Sequence, residues 1–82
     1  MGWKEEQKKV EEFSKQKGFE VTLEERLAYL TAEVGELTEE VLKYRRKESS
    51  KENVGAEIYD VVWNAIDLAS LTGIDIEEAS AL

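Results

Sequence analysis

Between Leu27 and Tyr44 the apolar residues recur at alternating steps of three and four: Leu27, Leu30, Val34, Leu37, Val41 and Tyr44. That spacing describes a helix with a single stripe to lay against another helix. A second run, Val54, Ile58, Val61, Ala65 and Leu68, alternates in the same way. The chain contains no proline, so nothing interrupts either run. The polar stretch KESSKEN between them reads as a turn, and a connection this short favours antiparallel neighbours. An all-α fold built on an antiparallel helical hairpin is therefore expected.

Local signals place the ends of the helices. Thr22 with Glu25 three residues on forms a capping box, opening a helix that can run to about Lys47. Ser49 with Glu52 offers a second box for a helix reaching about Thr72, and Gly73 ends it. A flanking helix is expected over Trp3 to Lys17, with Val10 and Phe13 on a thin apolar stripe and Gly18 as its stop. Asp75 with Glu78 caps a short fourth segment that reaches Leu82.

At 82 residues the chain forms one domain, residues 1–82, too small for a secure core without disulfides, a metal or a partner. It has no cysteine and no histidine. Disulfides, structural zinc, thiol nucleophiles and histidine acid–base chemistry are excluded, so any chemistry falls to carboxylates, lysines and a metal. The two seams and the thin first helix leave more apolar edge than one chain can cover. A homodimer or homotetramer built around a four-helix bundle is expected. The net charge of −8 argues against nucleic-acid binding by phosphate neutralisation. No apolar run reaches membrane-spanning length, and the start MGWKEEQKKV is charged where a signal peptide needs an apolar core, so a soluble, cytoplasmic protein is expected.

Two acidic pairs share a three-residue spacing: Glu33 with Glu36 in AEVGELTEE, and Glu57 with Asp60 in AEIYDVVWN. Residues three apart lie on one helix face, so each pair aims two carboxylates the same way. At about 100° per residue, Glu33, Glu36 and Glu40 fall within about 60° of one another, and Arg26, Tyr29, Lys43 and Lys47 extend their line. Glu57, Asp60, Asn64 and Asp67 make the equivalent line on the other helix. Antiparallel packing brings both pairs to one groove, where four carboxylates require a divalent cation. Oxygen ligands suit Mg2+ or Mn2+ rather than zinc. Either pair alone is ordinary on a solvated face. Two further features weigh against that reading. Gly35, between the first two acids, costs a helix interior about 1 kcal/mol relative to alanine and points to close approach or tight helix packing. Asp60 and Asp67 stand amid Val61, Val62, Ile66 and Leu68, where acids need compensation.

The pattern Glu33-x-x-Glu36, a spacer, Glu57-x-x-Asp60 and then LASLTGIDIEEA resembles the MazG-like all-α nucleoside triphosphate pyrophosphohydrolases from about Leu27 to Ala79. The resemblance implies that Glu33, Glu36, Glu57 and Asp60 bind magnesium. It implies a nucleoside triphosphate substrate cleaved between the α and β phosphates, and a house-cleaning role in nucleotide pools. Ala32 stands where many relatives carry a further acid. Many relatives also continue beyond the fourth helix with residues that hold phosphates. Here those contacts are expected from Lys43, Lys47, a neighbouring subunit or a segment beyond Leu82. The general base is sought among Glu33, Glu36 and Glu40, with Glu40 the better outer ligand or orienter. Asn64 is a candidate for hydrogen bonding to sugar or phosphate. Trp63, Tyr29, Tyr59 and Trp3 are candidates for base stacking, and Trp63 fits an interface better. The competing function is a non-catalytic acidic oligomerisation module whose acidic stripes are solvated edges.

Overall fold

The computed structural model describes residues 2–18 and 20–82, and among these the chain is all α-helical. The helices are α1 (Trp3–Lys17), α2 (Leu23–Arg45), α3 (Lys51–Leu71) and α4 (Ile76–Ser80). Packing of α2 on α3 dominates, while α1 lies against α3 and α4. The molecule measures 40 × 27 × 24 Å, the shape of a hairpin with one flank covered.

The helix ends follow local chemistry. Thr22 accepts from the Glu25 amide while the Glu25 carboxylate accepts from the Thr22 amide, completing the capping box. Gly18 and Gly73 adopt left-handed φ values of 66° and 73° after α1 and α3, a region open to glycine at little steric cost. Asp75 accepts from the amides of Glu77 and Glu78 at the start of α4. Two boundaries differ from expectation. The cap of α3 is Ser50, which accepts from the Asn53 amide at 3.1 Å, and not Ser49. Ser49 instead donates to the Glu40 carboxylate and accepts from Asn53 Nδ2. Helix α2 stops at Arg45, short of Lys47, because Lys47 turns to a left-handed φ of 62° and the Glu48 amide bonds back to the Lys43 carbonyl.

The seam between α2 and α3 keeps Leu30, Leu37, Val54, Val61 and Leu68 of the apolar stripes and at the alternate positions takes the residue one earlier. On α2 the partly or fully covered line is Arg26, Leu30, Glu33, Leu37 and Glu40, whereas Leu27, Val34 and Val41 are 53%, 46% and 39% exposed. On α3 the covered line is Val54, Glu57, Val61, Asn64 and Leu68, with Ile58 and Ala65 turned outward. Both lines keep the alternation of three and four. Within one chain the hairpin thus interleaves apolar and polar side chains, and its apolar edge is left open.

The small core reflects this. Val10, Ile66 and Ala69 are buried apolar residues, and Gln7, Arg26, Asn64 and Asp67 are buried polar ones. Gln7 fastens α1 to the α3–α4 junction. Its Nε2 donates to Ser70 Oγ (3.0 Å) and to the Ile74 carbonyl (2.8 Å), and its Oε1 accepts from the Ile76 amide (3.0 Å). Phe13 meets Trp63 edge-on, with ring centroids 6.0 Å apart. No described helix is long and apolar enough to cross a membrane.

Candidate metal centre

Antiparallel register builds the site. Going seven residues along α2 from Arg26 to Glu33 matches going seven back along α3 from Asp67 to Asp60. Because Arg26 is bonded to Asp67, two turns further on the two acidic pairs stand opposite each other. Glu33, Glu36 and Glu57 each bring a carboxylate oxygen within 4.8 Å of the others. Asp60 lies outside that tightest group, yet its charge acts on both Glu33 and Glu57. It also lines a cleft of about 310 Å³ with Glu33, Phe13, Trp63 and Asn64.

The electrostatics are those of carboxylates lacking a counter-charge. Loss of hydration raises the Glu33 pKa above the usual value, and the charges of Glu36, Asp60 and Glu57 raise it further, as does a hydrogen bond to Glu36. Glu57 is raised in the same way, first by lost hydration and then by Glu36, Asp60 and Glu40. The Oε2 atoms of Glu33 and Glu57 are buried without a hydrogen-bond partner. An unpartnered buried carboxylate oxygen carries a large desolvation cost. Anionic oxygens converging at this spacing fit a hard divalent cation, which would satisfy both of them.

Other residues singled out in the sequence fall around this centre. Glu40 is partly buried and accepts from Ser49 Oγ, which joins the acidic line to the α2–α3 turn. Lys43 lies in the last turn of α2 and Lys47 in the turn beyond it, both on the side of the centre away from Arg26. Asn64 is buried, its Oδ1 accepting from Arg26 Nη1 (2.6 Å) and its Nδ2 donating to the Asp60 carbonyl (2.7 Å). Trp63 packs within the chain against Phe13 and under the Arg26 guanidinium, whose carbon lies 5.1 Å from the ring centroid. The compensation that Asp67 needs is Arg26, with Nε 2.8 Å from Oδ2. Close approach within the chain does not explain Gly35, because a Cβ there would meet nothing within 4 Å.

A helical hairpin with an acidic cluster across its two long helices, its oxygens at a spacing that fits a divalent cation, defines the class as an all-α protein. The profile of the MazG nucleotide pyrophosphohydrolase domain matches residues 21–82, and the chain belongs to that family. The match starts at the α2 capping box and takes in both acidic pairs and α4. Among curated proteins and among solved structures, nothing gives a significant match. Family membership implies a nucleotide pyrophosphohydrolase, and the family is typically metal-dependent.

Proposed function

We propose that this chain hydrolyses nucleoside triphosphates between the α and β phosphates, releasing a monophosphate and pyrophosphate, with Mg2+ or Mn2+ held by Glu33, Glu36, Glu57 and Asp60. The observation that carries this reading is the convergence of three glutamates, two of them with a buried, unpartnered oxygen. Held by these four acids, magnesium would supply a Lewis acid for phosphoryl oxygens and offset the charge of the triphosphate. The chain's own part is to orient the substrate and take up a proton. A carboxylate edge of Glu33 or Glu36 accepts the proton of the attacking water, and the raised proton affinity of Glu33 suits that task. Glu40, held by Ser49, orients the acidic line. Lys43 and Lys47 receive the outer phosphates, and the Phe13–Trp63 wall of the cleft lies against the nucleoside. The Asn64 amide already bonds on both sides, so its part is support for this wall, in preference to direct capture of sugar or phosphate. Clearance of surplus or non-canonical nucleotides is the role this reading supports.

The site works in an oligomer, as a homodimer or homotetramer with a four-helix bundle at its centre. One chain exposes 6129 Å². A monomeric protein of 9.4 kDa exposes about 5,000 Å² by the usual scaling. The excess, about 1,100 Å², is of the size each partner buries in a stable interface.

The test is a panel of ribo- and deoxyribonucleoside triphosphates incubated with Mg2+ in oxygen-18 water. The expected products are labelled monophosphate and unlabelled pyrophosphate. Diphosphate with orthophosphate would assign a different phosphohydrolase chemistry, and no turnover across the panel would leave the oligomerisation module.

A further inference from the structure

We propose that Arg26 is the positioning residue of the metal centre, setting the register of α2 on α3 through Asp67 and Asn64; the proposal rests on the reading of the acidic cluster as a cation site. Arg26 is 6% exposed, and its charge is already matched by Asp67, so it is not a free cation for phosphate. Arginine only donates hydrogen bonds, so the Asn64 oxygen must face Nη1. The Asn64 amide nitrogen is thereby turned to the Asp60 carbonyl, one helical turn back. Tyr29 and Trp63 hold the guanidinium plane, with ring centroids 5.7 and 5.1 Å from its central carbon. The result is a fixed link from Arg26 on α2 to two positions of α3, Asn64 and Asp67, one and two turns beyond Asp60.

Stability is a poor explanation for this arrangement. Burying an ion pair costs hydration that apolar side chains of similar size would not need, and such replacements are often neutral or stabilising. What apolar side chains cannot do is fix register. Leu30 and Leu37 on α2, and Val54, Val61 and Leu68 on α3, repeat every seven residues and do not by themselves select one alignment. Arg26 with Asp67 and Asn64 selects the one that sets Glu33 and Glu36 against Glu57 and Asp60.

The test measures Mn2+ binding to the intact chain without nucleotide, by the loss of free-ion electron paramagnetic resonance signal, together with melting temperature. The double variant R26M/D67L is expected to stay folded yet bind Mn2+ about tenfold more weakly, the scale of an outer-shell loss. R26K keeps the charge beside Asp67 but cannot reproduce the planar fork, and is expected to lose part of that affinity while staying folded. Wild-type Mn2+ affinity in a folded R26M/D67L or R26K would overturn the positioning role. Glu57→Gln separates the two levels: it must weaken Mn2+ binding in an otherwise wild-type chain, and if it does not, the metal reading itself falls and the role of Arg26 with it.

Discussion

Glu33 and Glu57, on opposite helices, each bury one carboxylate oxygen, Oε2, with no hydrogen-bond partner. Neither has a counter-charge, and each stands in the field of Glu36 and Asp60. The nearest buried cation, Arg26, is committed to Asp67 two turns away. In the absence of metal the centre is therefore a source of strain, and removing its charge should stabilise the fold while destroying its use.

Glu57→Gln and Asp60→Asn are expected to lower magnesium-dependent turnover at least about a hundredfold, because a neutral amide is a poor substitute for an anionic ligand of a hard cation. Side-chain volume is nearly unchanged, so the helical circular dichroism should persist. Without metal, E57Q should melt higher than the wild type, since it removes repulsion from Glu36, Asp60 and Glu40. Wild-type turnover in either variant would remove these acids from the site.

The same raised pKa values fix the sign of a pH effect. The folded chain holds protons on Glu33 and Glu57 more tightly than the unfolded chain, whose glutamates titrate near 4.5. In the window above that value, folding takes up protons. The contribution of these two groups to stability is thus present at low pH and lost as pH rises through their folded pKa values. With a chelator present, lowering the pH from 7 to about 5 should raise the melting temperature. Saturating Mg2+ should oppose that trend, because the cation competes with protons for the same oxygens. Melting curves across this range check both signs, and E57Q should flatten the metal-free slope.

Those groups were legible in the sequence because acidic spacing and caps are local. Thr22 with Glu25, Gly18, Gly73 and Asp75 act where their neighbours place them, and the short antiparallel connection brings Glu57 to Glu33 and Glu36. The displaced positions of the seam were not legible from apolar periodicity, which follows Leu27 and Val34 and passes over Arg26 and Glu33, although the latter pair is the more covered. Counting could have found the partner of Asp67. Arg26 stands seven residues before Glu33, and Asp67 stands seven after Asp60, so aligning the acidic pairs aligns the ion pair. The choice between Ser49 and Ser50 as cap had no such signal. Ser49 is drawn away by Glu40, a contact made only once the hairpin closes.

The outward apolar edge predicts assembly. Leu27, Val34, Val41 and Ile58 stay largely exposed in one chain although they occupy regular helical spacing. Light scattering at micromolar concentration should return a dimer or tetramer mass. The double substitution V34K/V41K puts two charges on the α2 edge and should shift the population to monomer while keeping the α2–α3 hairpin, whose contact line uses other residues. A monomer mass for the wild type would refute the bundle and remove a second subunit as a source of phosphate contacts.

Gly35 gives a sharper probe of what covers the other side of α2. A Cβ there meets nothing within 4 Å, so alanine has room, and its backbone φ is not among the positive values that favour glycine. Helix-interior glycine is less favourable than alanine by about 0.5–1 kcal/mol, chiefly through the freedom it gives the unfolded chain. Gly35→Ala should therefore stabilise the protein by about that amount, or about 2–8 °C in melting temperature for a domain of this size. Mn2+ affinity should stay unchanged, because position 35 points away from the acidic line that carries Glu33 and Glu36. A variant that melts lower, or that changes the oligomer mass, would show that a neighbouring subunit approaches α2 closely at Gly35 and that the glycine is there to admit it.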